Sequence, residues 1–483
     1  MLSFIFANMP SVLRPYINLK LISLFSILVF CSCQNNSDSV GKTTWIGGEI
    51  VNPKLDYVIM FKDDCVLDTI KLNNDNFFLF ESTDIKEGLY SFQHHEYQVF
   101  YINPGDSLML RVNTVDFDES LTYSGDGAGR NNFLIEMFLL NEAENRLMPE
   151  MYLLPPEDFQ KKLDSLKSIR TDLYEDFVVK YRPNKTFKEI ALANINYDFF
   201  SKKELYTSAT SGNKKFMEEH TFPDDFYEYR NEIDLGNENL RSYYPYYRFL
   251  NRYFDNLAFE KYKDSEYFNR GSFAHVYNKV TIIDSLITDE FLKNSMLRTN
   301  VGRYLFNAKD AKGQNIMMDL FLDINTNESH RVEIQKLADA TLKLTKNNTI
   351  PNVFLLTTDN TVKDLHSIIK RPTVFYFWSS ESIMHYKNIH KRASELQEKY
   401  PKYDFIGLNT DRNRVNWRSI VKASGYDPLK EYQFEDIEDA ERKLVINWVN
   451  KTIVVNKNGL ILEGNTNLFN KQIEHQLLGY LHK

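Results

Sequence analysis

The sequence predicts a multidomain α+β protein: an N-terminal β-sandwich-like domain, a central helical region and a C-terminal α/β domain. Three observations carry this. The 483 residues exceed what one ordinary core holds. Residues 44–123 break into short apolar or alternating runs between turn residues, whereas residues 130–346 carry apolar side chains at helical spacing. The last part of the chain alternates strand-like and helix-like segments. With 43% hydrophobic and 26% charged residues, the composition is that of a folded chain. The 35 Phe and 29 Tyr supply large side chains for its cores.

The net charge is −8. Residues 1–33 hold Arg14 and Lys20 and no acid, so the rest of the chain is more acidic still. Nonspecific nucleic-acid binding depends on neutralising phosphates, and neither a basic run nor a zinc-finger spacing is present. No nucleic-acid partner is expected.

The N-terminus reads as an address. Residues 21–30 are apolar apart from Ser23 and Ser26, follow Arg14 and Lys20, and end at Cys31-Ser32-Cys33. Ten residues are too few for a stable bilayer-spanning helix, and this order is that of a secretory signal peptide. The small residue followed by Cys33 resembles a bacterial lipoprotein signal, which implies Cys33 as the lipid-bearing residue and a membrane anchor. Phe30 and Cys31 depart from the usual pattern, and a start at Met9 instead of Met1 would shorten the leader. Several acyl chains on one residue anchor a protein far better than one. Gln34, rather than Asp, after Cys33 fits outer-membrane sorting. Residues 34–43 would then be a tether. Gly41-Lys42-Thr43 mimics the end of a phosphate-binding loop, but Asn36 stands where that loop needs Gly.

The expected organisation is signal peptide 1–33, tether 34–43, β-sandwich-like domain 44–129, helical domain 130–346 and C-terminal domain 347–483. In the β region, Asn52-Pro53, Asn73-Asn74-Asp75-Asn76 and Asn103-Pro104-Gly105-Asp106 separate the strands, predicting a small antiparallel sandwich or barrel. Gly48, Asp68-Thr69-Ile70, Asn103-Pro104-Gly105-Asp106-Ser107 and Tyr123-Ser124-Gly125 resemble a domain that often precedes thioredoxin-like domains in envelope proteins of Bacteroidetes-type bacteria. Asp68-Thr69-Ile70 and Asp106-Ser107-Leu108 also resemble the O-glycosylation triplet of such bacteria. Cys65 is expected to be a free, buried thiol, since free Cys commonly serves as a small core residue. Gly125-Asp126-Gly127-Ala128-Gly129 lacks dinucleotide-loop spacing and reads as a flexible hinge before a helix.

In the helical region, Leu134, Met137, Phe138 and Asn141 share a face, as do Phe159, Leu163, Leu166 and Ile169 behind Pro155-Pro156. Further helices are predicted over 239–262, 276–306 and 329–345. The aromatic cluster at Tyr243, Tyr244, Tyr246, Tyr247, Phe249, Tyr253 and Phe254 could line a groove, but Tyr246, Leu250, Tyr253 and Leu257 repeat as a buried helix face does.

In the C-terminal domain, Thr373–Trp378 is a continuous apolar run typical of a strand buried on both faces. A helix carrying Ile383, Tyr386, Ile389, Ala393 and Leu396 follows. Then come a strand at 404–409, a helix at Trp417, a hairpin around Asn456-Lys457-Asn458-Gly459, and a final helix through Leu477. This order resembles the thioredoxin-like family, in particular its membrane-tethered thiol–disulfide branch. The resemblance implies two cysteines directly after the Trp, at a helix N-terminus that stabilises a thiolate. Here Trp378 is followed by Ser379, Ser380, Glu381 and Ser382. The family's cis-proline position aligns with Asn450, where a cis bond would cost about 2.5–4 kcal/mol. Thiol–disulfide chemistry is therefore not expected. Ser379 lacks a marked base, acid or oxyanion loop, so Ser379 and Ser382 read as helix caps with Glu381 at the positive end.

No metal site is expected. His94 and His95 would face opposite ways on a strand, and His385 and His390 diverge on a helix. The run Glu435-Asp436-Ile437-Glu438-Asp439 lacks calcium-loop spacing and reads as a solvated insertion. No cofactor is implied. The leading expectation is a cell-envelope lipoprotein whose redox-degenerate domain binds a protein or peptide, or acts as a scaffold. The alternatives are an enzyme with non-thiol chemistry in an interdomain pocket, and a structural or assembly subunit of an envelope complex.

Overall fold

The computed structural model describes residues 42–481 except 64, 212, 264–266, 309 and 447–449. The expected signal peptide, Cys31, Cys33 and the tether up to Gly41 lie outside the described residues. No helix among the described residues is long and apolar enough to cross a membrane. The chain divides into two compact units. One comprises the described residues up to Arg270 together with Tyr277–Ser295; the other comprises Gly271–Val276 and the described residues from Met296 onward.

The first unit begins with β1 (Thr44–Val51), β2 (Tyr57–Lys62), β3 (Cys65–Lys71), β4 (Phe77–Ser82), β5 (Gly88–His94), β6 (Glu96–Ile102), β7 (Ser107–Asn113), a short α1 (Phe117–Ser120) and β8 (Thr122–Gly125). They form two four-stranded sheets, β4-β1-β7-β8 and β3-β2-β5-β6. Ile46, Ile50, Met60, Phe92, Phe100 and Leu110 fill a shared core, as alternation on each strand requires. The sandwich is mixed rather than purely antiparallel, because β1 pairs parallel with β7. Gly48 permits this pairing: a Cβ there would lie 2.0 Å from the Leu110 carbonyl oxygen.

Cys65 corrects the sequence reading. It opens the edge strand β3, whose residues are nearly all exposed, so its thiol is exposed and not part of the core. The glycine segment 125–129 leads into the next helix, as the sequence reading has it. Gly125 and Gly127 adopt φ of 83° and 90° in a tight turn, and Gly127 caps the next helix.

The helices that follow are α2 (Ala128–Asn145), α3 (Met148–Met151), α4 (Pro156–Tyr181), α5 (Lys185–Ser211), α6 (Lys214–Glu219) and α7 (Tyr244–Glu260). In the aromatic cluster, Tyr243, Tyr246, Phe249 and Phe254 are buried, with Phe249 against Tyr197 and Phe200 of α5. The core reading holds for them. The single helix predicted over 276–306 is two, α8 (Phe273–Leu286) and α9 (Glu290–Asn307). Asp289 explains the break: its carboxylate accepts from the Leu292 amide at 2.7 Å and starts a new helix.

The second unit adds α10 (Ala311–Ile324), α11 (Glu328–Lys343), β9 (Phe354–Leu356), β10 (Val362–Asp364), α12 (Leu365–Ile368), β11 (Thr373–Trp378), α13 (Ile383–Lys399), β12 (Asp404–Asn409), α14 (Arg414–Ser424), β13 (Glu431–Phe434), α15 (Ile437–Leu444), β14 (Thr452–Val455), β15 (Ile461–Thr466) and α16 (Ile473–Leu481). The sheet order is β10-β9-β13-β12-β11-β14-β15. Strands β11, β12 and β13 are parallel and central. One face is covered by Tyr386, Ile389 and Leu396 of α13, Trp417 and Val421 of α14, and Ile473 and Leu477 of α16, packed on Val374, Tyr376 and Trp378. The β14–β15 hairpin closes at Gly459, φ 74°. The acidic run at 435–439 is solvent-facing, as expected, and leads into a helix. Asp436 caps α15, and Ala440 and Leu444 on that helix are buried.

Candidate functional site

In a parallel sheet the C-terminal strand ends open a crevice where functional groups collect. Here β11 and β12 end side by side, with Trp378 opposite Asn409. Trp378 is fully buried, and its indole Nε1 donates to Glu431 Oε2 at 2.9 Å. Beyond it the chain turns through Ser379–Glu381 into α13.

Ser382 caps α13 by accepting from the His385 amide at 3.4 Å, as expected of a serine at that position. Ser379 does something else. Its hydroxyl donates to Asp411 Oδ1 at 2.5 Å and accepts from the Glu381 amide at 3.1 Å. Asp411 also accepts from the Ser380 amide at 2.8 Å and from Asn409 Nδ2 at 3.0 Å. The sequence marked no acid beside Ser379; the structure supplies one. The loop after β12 brings it there, thirty-two residues on, so local spacing carried no sign of it.

A carboxylate alone does not make serine a nucleophile, because a stronger base must take the proton. Among the described residues no hydrogen bond joins His385 to Ser379. His385 Nε2 lies 2.6 Å from Asn450 Oδ1, and burial lowers its pKa, with the Asn450 hydrogen bond opposing. Ser379 with Asp411 and His385 with Asn450 thus form two separate pairs. No peptide bond among the described residues is cis.

Beneath Trp378 lies a second polar cluster. Glu431 is buried at 2% exposure and accepts from Tyr376 Oη at 2.9 Å as well as from Trp378. His390 Nε2 lies 3.2 Å from Glu431 Oε1, and the His390 ring stacks on Tyr426 at 3.8 Å. Burial, then the adjacent Glu431 charge, raise the Tyr376 hydroxyl well above its ordinary pKa. His385 and His390 have different partners, Asn450 and Glu431. Glu431 went unrecognised because it heads a short strand inside a charged stretch.

The surface around Ser380 is apolar in part. Ile383 and Met384 on the first turn of α13 are 59% and 71% exposed, and Val415 on α14 is 70% exposed. Asn416 Nδ2 donates to Ser380 Oγ at 2.9 Å and ties the two helix starts together.

Elsewhere in this unit a cavity of about 270 Å³ is lined by Phe306, Thr341, Lys451, Glu463, Asn465 and Tyr480, among others. Lys451 Nζ donates to the Leu444 and Val445 carbonyls at 2.7 and 2.9 Å. Burial lowers its pKa to about 7. Among the described residues no group of three or more His, Cys, Asp or Glu side chains could hold a metal ion.

No curated protein matches the chain. Among solved structures, a thioredoxin-like protein from Bacteroides caccae is 11% identical, with 58% of this chain and 93% of that chain covered, at a TM-score of 0.35. The thioredoxin domain of a thiol-disulfide oxidoreductase from Bacteroides vulgatus is 14% identical, covering 29% of this chain and 96% of that chain, at a TM-score of 0.23. A thiol:disulfide interchange protein from a Bacteroides species is 16% identical, covering 25% and 81%, at 0.22. Residues 370–461 match a family described as thioredoxin-like, and they hold β11, α13, β12, α14, β13, α15 and β14. The C-terminal part of the chain is a thioredoxin-like domain.

Proposed function

We propose that this chain is a cell-envelope lipoprotein, anchored through Cys33 and sorted to the outer membrane, whose thioredoxin-like domain binds a protein or peptide without catalysing thiol chemistry. The observation that carries the reading is the engagement of Ser379 by Asp411 at 2.5 Å. At the position where a redox protein of this fold needs a thiolate, a hydroxyl is fixed as part of the loop. Exposed Ile383, Met384 and Val415 around it give a surface for an apolar segment of a partner. Two measurements test the reading on the full chain. In a dithiol-driven insulin assay no turnover above background is expected, and reproducible reduction sinks the non-catalytic part. Mass spectrometry of protein from native membranes should find acyl groups on Cys33; an unmodified Cys33 sinks the anchor.

A second reading, an enzyme with non-thiol chemistry, is favoured by the cavity carrying Lys451, Glu463 and Tyr480. At neutral pH a lysine lowered to about 7 is uncharged in about half of the molecules, and the neutral amine is nucleophilic. Site-selective labelling of Lys451 by a small amine-reactive probe at pH 7 supports this reading, and absence of labelling at that pH removes it.

A further inference from the structure

In the first unit, the helices α2, α4, α5 and α7 bury an unusual set of charges. Asp198 on α5 meets Arg170 at 3.0 Å, Lys202 at 2.7 Å, and Arg248. Glu144 on α2 meets Arg170 at 2.6 Å and Lys202 at 2.7 Å. Burial pushes the Asp198 carboxyl up, but Lys202, Arg248 and Arg170 together hold it well below the usual carboxylate range. These two acids are thus already shared among three cations.

A fourth cation has no carboxylate of its own among the described residues. Arg252 lies one turn beyond Arg248 on α7, and its NH1 donates to the Ser201 carbonyl at 3.0 Å and to Ser201 Oγ at 2.9 Å. Both acceptors are neutral. Burial and then the like charge of Arg248 lower the Arg252 pKa to about 10, and Asp198 is the weakest of the opposing influences. Glu142 adds only a distant negative charge, on Arg248. Two tyrosines lie near the arginine pair. Tyr152, in the turn after α3, lies within electrostatic reach of both guanidinium groups. The Tyr244 ring lies 5.2 Å from Arg248 Cζ.

Buried charges are stable when paired, and the Arg252 guanidinium, held by neutral acceptors, is repelled by the like charge of Arg248 beside it. Guanidinium forks and hydroxyl donors together match the oxygens of a phosphate group, and a dianion would offset the excess positive charge. We propose that Arg252, Arg248 and Tyr152 form a binding site for a phosphate-type dianion, either inorganic phosphate or the phosphate end of a larger molecule.

The test is calorimetric titration of the full chain with inorganic phosphate and, separately, with glycerol phosphate, against sodium chloride at matched ionic strength. Saturable one-to-one binding is expected. Arg252→Gln should weaken it at least tenfold, and Tyr152→Phe should weaken it less. Preference for inorganic phosphate identifies a free-anion site, and preference for the ester identifies a phosphate-bearing molecule. Binding no stronger than the chloride control overturns the proposal, as does a folded Arg252→Gln protein that binds like wild type. Should that variant fail to fold, the wild-type protein still decides. Phosphate should protect Arg252 from phenylglyoxal, read by peptide mass spectrometry, and equal labelling with and without phosphate also overturns it.

Discussion

Asp411 holds the β11–α13 turn through three hydrogen bonds, two of them to Ser379 Oγ and the Ser380 amide. Bonds to a charged acceptor contribute more than neutral ones, and removing the acceptor strands its donors. Asp411→Ala should therefore lower unfolding stability by roughly 1–3 kcal/mol, and Ser379→Ala by less; denaturant midpoints of the two variants check the order. Lys451 gives a pH signature. Burial puts its pKa near 7 in the fold, while 10.5 is its ordinary value. Between those values the unfolded chain binds more protons, so the stability this group contributes rises with pH across the window. Below about 7 both states are protonated and its burial penalty is fully present. Wild type should gain at most about 1.4 kcal/mol per pH unit there relative to Lys451→Met, measured by denaturation at pH 7, 8 and 9. At this scale the serines after Trp378 and the cap at Ser382 were legible, because a helix start is a local pattern. Asp411, Glu431 and the His385–Asn450 pair were not, since each depends on a distant segment.

Among the elements, glycines separate two kinds of constraint. Gly425 ends α14 with φ 68° and open space around its Cα, so Gly425→Ala meets only backbone strain. A loss of about 1 kcal/mol is expected. Gly464 on β15 has an ordinary backbone, but a Cβ there would lie 1.9 Å from the Leu344 carbonyl oxygen. Gly464→Ala should cost more than Gly425→Ala, because the loop after α11 must move away; thermal unfolding of both variants tests the ranking. Periodicity found the long strands and helices of the thioredoxin-like domain. It missed β9, β10 and β13, which are three or four residues long. A run that short holds too few alternations to stand out, and sheet pairing rather than propensity makes it a strand. The helix break at Asp289 was a capping signal hidden within a longer apolar period.

For the whole molecule, two compact units imply that unfolding is not a single all-or-none event. Calorimetry should resolve more than one transition, and Lys451→Met should move only the one belonging to the unit that contains it. One unmoved, single transition for both proteins would contradict this. Exposed Cys65 should react with maleimide in the native state at the rate of a free thiol.

The sequence by itself determined the class of each region and the absence of cysteines at the positions after Trp378, because periodicity and residue identity are properties of neighbours along the chain. Only the tertiary structure decided what replaced the missing chemistry. Asp411 reaches Ser379 because parallel strands β11 and β12 end together, and Arg252 reaches Ser201 because α5 and α7 pack against each other. Such juxtapositions come from strand pairing and helix packing, which bring together residues that no spacing in the sequence relates.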